Sequence, residues 1–122
     1  MNNVIETADT WVDKVNAQDV EGVLEVSDPN IELIGPRGAG FGHDLLVQWM
    51  ENTGVNLHTI TRYADDHRVV YEQEAVWENQ DGHVIVYTFM EIKDGKVIRI
   101  ERFDNSDDAF STSGLNEENK VA

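Results

Sequence analysis

The chain has 122 residues, the size of one domain with one core. Nine Lys and Arg against 24 Asp and Glu leave a formal net charge of −15, which repels phosphate backbones and anionic headgroups, so neither nucleic acid nor a membrane is expected as a partner. Hydrophobic residues make up 40% of the chain, too many for a disordered acidic tail, and the lack of cysteine excludes disulfides, thiolate metal sites and cysteine nucleophiles. The start, Met1-Asn2-Asn3-Val4-Ile5-Glu6, has neither the basic residues nor the apolar run of a secretory signal. No stretch approaches the roughly 20 apolar residues of a membrane span, which predicts a cytoplasmic protein.

Val4, Ile5, Ala8, Trp11, Val12 and Val15 recur at helical spacing and predict an amphipathic first helix, broken at Asn16-Ala17-Gln18-Asp19. Asp19 is placed to cap a short second helix carrying Val20, Val23 and Leu24, which stops near Ser27-Asp28-Pro29. Ile31-Glu32-Leu33-Ile34 alternates as a strand does. Four glycines within 35–42 then predict a loop, and no Gly-Lys-Ser/Thr ending makes it a phosphate cradle. His43-Asp44 leads into a third helix with Leu45, Leu46, Trp49 and Met50 on one face.

After Gly54 the period changes to two. Turns at Ala64-Asp65-Asp66-His67, Asn79-Gln80-Asp81-Gly82 and Lys93-Asp94-Gly95-Lys96 divide the stretch to Asp104 into four antiparallel strands, with Asp-Gly marking the later two hairpins. A short helix from Ser106 to Ser113 is expected to be capped by Ser106 and stopped by Gly114. The tail from Asn116 to Ala122 is expected to be loose. The order predicts an α+β domain in which a sheet wraps helices around a cone-shaped space.

This order, together with Val15-Asn16-Ala17-Gln18-Asp19-Val20-Glu21-Gly22, the loop from Gly35-Pro36 to Gly42-His43 closed by Trp49, and the run from Asp94-Gly95-Lys96 to Arg102-Phe103-Asp104, resembles the NTF2-like superfamily. More narrowly it is similar to the SnoaL-like branch, with its polyketide cyclases and ketosteroid isomerases. The resemblance covers residues 1–115, and residues 116–122 are left as a flexible tail. It implies a curved antiparallel sheet around three N-terminal helices with a short C-terminal helix. It also implies a deep, mostly apolar pocket for a small apolar molecule and, commonly, a homodimer. It does not fix a function, because one fold hosts many chemistries.

The resemblance allows the isomerase groups to be sought one by one. The tyrosine position falls on Trp11, the aspartate base on Gly35 and the protonated oxyanion acid on Thr88; the split carboxyl pKa values of ketosteroid isomerase are a familiar worked case. None of these residues can take the role, so steroid isomerase activity is expected to be absent.

Alternation along the strands places Val69, Tyr71, Gln73, Ala75 and Trp77 on one face, and on the next strand the resemblance, through its match at Thr88, implies that Val86, Thr88, Met90 and Ile92 are inside. Ile85, Tyr87, Phe89 and Glu91 are left outside, apolar enough for a dimer face. In the final strand Ile98, Ile100, Arg102 and Asp104 are expected inside, with Glu101 taking the place of Asp104 if the parity is reversed. Arg102 then orients a carbonyl or acidic ligand and Asp104 acts as base, the two forming the candidate catalytic pair. Trp11, Trp49, Tyr71, Gln73, Thr88, Met90 and Ile100 are the candidate ligand-binding residues. On the strand around His58, two faces compete: Leu57, Thr59 and Thr61 against His58, Ile60 and Arg62.

His43, His58, His67 and His83 lie on separate elements without a paired spacing, so no metal is expected. No Gly-x-Ser-x-Gly elbow occurs, and no cofactor is expected. Two readings remain open. One is a cofactor-independent isomerase, cyclase or hydrolase acting on a small apolar carbonyl compound. The other is a non-catalytic ligand-binding or dimeric interaction domain.

Overall fold

The computed structural model describes residues 3–35, 38–77 and 81–121. The helix α1 (Asn3–Asn16) buries Val4, Ala8, Trp11, Val12 and Val15, the expected stripe. It ends where Gln18 takes a left-handed φ of 57°. Asn16 then fastens that end to the sheet: its Oδ1 accepts from Leu57 N and its Nδ2 donates to Leu57 O, both at 2.8 Å. Asp19 caps α2 (Val20–Glu25) by accepting from Gly22 N at 3.0 Å.

Strand β1 (Ser27–Gly35) is followed by β2 (Gly38–Phe41), so part of the expected glycine loop is a short edge strand paired antiparallel with β1. Gly40 lies against α3 (His43–Thr53), where an added Cβ would meet the Leu45 side chain. The helix is stopped by Gly54 at φ 54°. Four long strands follow: β3 (Val55–Ala64), β4 (Arg68–Trp77), β5 (Val84–Lys93) and β6 (Lys96–Phe103). Asp94 and Gly95, at φ 54° and 75°, form the β5–β6 turn that the Asp-Gly pair predicts. Residues 79 and 80 of the expected β4–β5 turn lie outside the described residues.

The sheet runs β2-β1-β6-β5-β4-β3-β7. It is mixed rather than antiparallel, because β1 and β6 pair parallel: β2, α3 and the three strands that follow return the chain to the side of β1 in the same direction. The tail also departs from expectation. Residues Glu117–Asn119 form a 3₁₀ turn capped by Asn116, and β7 (Lys120–Val121) pairs with the free edge of β3.

The inner sheet face and the N-terminal helices share one core, with Val69, Tyr71, Ala75, Val86, Met90 and Ile100 packed among the α1 residues. The outer face carries a second one. There α4 (Ser106–Ser113), whose cap is Asn105 rather than Ser106, lays Ala109 and Phe110 on Tyr63, Val70, Phe89 and Phe103, and Leu115 completes the cluster. Phe89 is thus only 2% exposed, and the outer face expected to be bare from Ile85 to Phe89 is bare only at its far end. Ile60, Val76 and Ile85, at 50, 40 and 41%, are its exposed aliphatics.

Two bulges set which residues face inward. One between Thr59 and Thr61 switches parity within β3, so Leu57 and Thr59 face in before it and Arg62 after it. Neither alternating set of the sequence reading describes this strand. The other, between Glu91 and Ile92 opposite β6, brings Val97 into the core in place of Ile98, while Ile100 keeps the expected side.

Candidate functional site

A polar row crosses the largely apolar inner face of the sheet. Thr88 Oγ1 donates to Gln73 Oε1 at 2.8 Å, and Gln73 Nε2 donates to Thr59 Oγ1 at 3.1 Å. Thr88 and Gln73 are fully buried, so their hydrogen bonds offset the loss of water. Thr88 is the register partner of Arg102, which extends the row onto β6.

Arg102 reaches inward and lies over Trp49 of α3, its guanidinium carbon 5.7 Å from the ring centre. Trp49 in turn stacks on Trp11, the centroids 6.0 Å apart and the planes at 26°. Trp49, Leu45, Gln48 and Asn52 line an open groove of about 410 Å³. The Arg102 Nε is enclosed without a hydrogen-bond partner, and burial pushes the guanidinium pKa below its ordinary value.

The other described arginines each face a carboxylate. Arg62 Nε is 3.0 Å from Asp9, Arg68 Nη2 is 2.7 Å from Asp65, and Arg99 lies 3.9 Å from Glu32 and 3.6 Å from Glu101. Among the described residues, no carboxylate forms an ion pair with Arg102.

Asp104, expected beside Arg102 on the inner side, stands elsewhere. The strand ends at Phe103, and Asp104 is exposed in the bend that leads to Asn105, the α4 cap. The cap turns the chain out of the sheet before alternation reaches Asp104. Glu101, the alternative, sits on the outer side with Arg99, whose guanidinium lies over Phe89.

Trp11 is fully buried and its indole N–H donates to Ser27 Oγ at 3.1 Å, which donates onward to Val23 O at 2.7 Å. That N–H is committed within the core. Met90 and Ile100 are buried in the same cluster, and Tyr71 is fully buried. Of the expected set, Trp49 lines the groove and Arg102 lies over its ring, Gln73 and Thr88 form the polar row, and Trp11, Met90 and Ile100 fill the core around them.

Tyr71 joins a cluster that the sequence reading did not assemble. Its O–H donates to Asp9 Oδ1 at 2.7 Å, the oxygen that also accepts from Arg62 Nε, and the Arg62 guanidinium lies 5.2 Å from the Tyr71 ring centre. Burial, then the Asp9 carboxylate, raise the Tyr71 pKa well above the ordinary tyrosine value, so the hydroxyl stays a donor. Asp9 flanks the apolar stripe of α1, but only the β3 bulge brings Arg62 to it. Among the described residues, no group of three or more His, Asp or Glu could hold a metal ion. The three positions matched to the isomerase groups hold a committed indole, an exposed glycine and a hydrogen-bonded threonine.

No protein-family model matches the sequence, and no curated protein does either. Solved structures do. An NTF2-like protein of unknown function from Cytophaga hutchinsonii has a TM-score of 0.76 at 10% identity, over 90% of this chain and 96% of that one. A candidate ketosteroid isomerase from Kribbella flavida gives 0.73 at 16%, over 83% and 76%. TerC, co-crystallised with polyporic acid, gives 0.70 at 20%, over 92% and 98%. With its mixed seven-stranded sheet, three helices on one face and one on the other, the chain has the NTF2-like fold.

Proposed function

We propose that the chain binds a small apolar compound through a carbonyl or acid oxygen, at the mouth between α3 and β6 where Arg102 and Trp49 meet. One observation carries this reading: the half-buried Arg102 has an enclosed Nε with no acceptor and no described carboxylate in ion-pair range, and it lies over a tryptophan that lines an open groove. An unmet donor of this kind is costly to bury and is a good anchor for a ligand oxygen. TerC, a structure of similar fold, was co-crystallised with polyporic acid.

Binding is preferred to acid/base catalysis because the carboxylate expected to act as base, Asp104, is exposed beyond the strand end. A thermal-shift screen against apolar carboxylic acids, cyclic enones and polyketide fragments tests the reading. A ligand at 100 times its dissociation constant adds about 2.7 kcal/mol, which moves the midpoint by several degrees. A hit that disappears in Arg102→Met supports the reading. No hit, or one that survives in Arg102→Met, overturns it.

A further inference from the structure

We propose that the compound held at Arg102 is an organic anion, an apolar carboxylate, whose charge is the counterion that no described carboxylate supplies to this arginine. The inference rests on the binding reading above and adds the charge state of the ligand.

The chain has 24 acidic residues for nine Lys and Arg, so carboxylates are plentiful. Arg62, Arg68 and Arg99 each have one nearby, whereas Arg102, which lies over Trp49, has none among the described residues. A neutral carbonyl would satisfy the enclosed Nε–H and leave the half-buried charge unbalanced. A carboxylate satisfies two donors in the plane of the guanidinium and neutralises it. The position of Trp49 suits this arrangement, since an aromatic ring near the guanidinium takes up its apolar surface while its N–H edge can still donate. The groove lined by Leu45 and Trp49 then offers room for the apolar body of the acid.

The ligand-free protein provides an independent sign. A charge partly taken out of water without a counterion opposes folding, so its replacement by an apolar side chain of similar length relieves that cost. A residue kept for stability behaves in the opposite way.

The test uses the whole chain with benzoate, cinnamate and naphthoate, each beside its amide, read by thermal shift and by tryptophan fluorescence at neutral pH. The acids are expected to bind on the order of 10- to 100-fold more tightly than their amides. Arg102→Met is expected to abolish that preference, and Arg102→Lys, which keeps the charge and loses the fork, to reduce it. Ligand-free Arg102→Met is expected to melt no lower than the parent protein. If acids and amides bind alike and both depend on Arg102, the binding reading stands and the anion is overturned. If none of the six compounds binds, or binding ignores Arg102, both fall. If ligand-free Arg102→Met melts several degrees lower, Arg102 is a structural residue and the anion is likewise overturned.

Discussion

The hydroxyl of Tyr71 donates to Asp9 Oδ1 at 2.7 Å, so that the middle of β4 is tied to the flank of α1 by the same carboxylate oxygen that Arg62 holds from β3. Like the Asn16–Leu57 pair, it is a polar fastening between the first helix and the sheet, and its two ends differ in what their loss leaves behind.

Tyr71→Phe removes one donor and leaves Asp9 with Arg62, at a cost of about 1 kcal/mol. Asp9→Ala removes the acceptor of a buried hydroxyl and a partner of Arg62, and is expected to cost about 1–3 kcal/mol. Urea denaturation of both variants checks the order. Equal costs would mean that the Tyr71 hydroxyl finds water.

The same hydroxyl gives an alkaline limit. Its folded pKa is raised, so its contribution is complete below the unfolded tyrosine value of about 10 and is lost as pH rises above it, where the unfolded chain ionises first. Stability is expected to fall above about pH 10, and less steeply in Tyr71→Phe. Tyr63 and Tyr87, also raised, keep part of the slope in the variant.

Asp65 acts at the other end of the scale. Burial opposes its ionisation, but the backbone N–H groups of His67 and Arg68 and the Arg68 guanidinium outweigh it and lower its pKa. The stabilisation is therefore present above the unfolded carboxyl value of about 3.9 and disappears as pH falls through the lower folded value. Asp65→Ala is expected to cost about 1–2 kcal/mol at neutral pH and progressively less below pH 4, measured by denaturation across that range.

Phe89 and Ile85 separate two uses of the outer face. Phe89→Glu places a charge beneath α4 and is expected to unfold the protein, at a cost of at least the roughly 3–5 kcal/mol of a buried Phe truncation. Ile85→Glu sits at an exposed position and leaves folding intact. Self-association through this face must then use Ile60, Val76 and Ile85, so a shift toward monomer in sedimentation of Ile85→Glu supports it and an unchanged profile places any contact elsewhere.

Ending the chain at Leu115 removes the Asn116-capped turn and β7, and exposes the β3 edge at Arg62 and Tyr63. The truncated protein is expected to melt a few degrees lower and to aggregate more readily, as an uncovered strand edge does. Unchanged melting and solubility would make the tail dispensable.

The sequence was most legible where local rules suffice. Helical spacing marked the buried side of α1, Asp-Gly marked the β5–β6 turn, and the order of elements carried the resemblance that the solved structures bear out as a fold. The inward position of Arg102 was legible too, because no bulge intervenes between Ile100 and Arg102. Other features depend on distant partners. The parity of β3 turns on one extra residue at Thr59–Thr61, which alternation within the strand cannot signal and which brings Arg62 to Asp9. Phe89 and Ile85 have the same sequence pattern and differ only because α4 folds over one of them. Asp104 leaves the sheet because Asn105 caps the next helix, and β7 forms because β3 presents a free edge. Period and turn chemistry are properties of neighbours along the chain, and those the sequence determined by itself. Which polar group meets a partner, and which one is left without, was decided by contacts between residues as far apart as Asp9 and Tyr71, and only the tertiary structure brings them together.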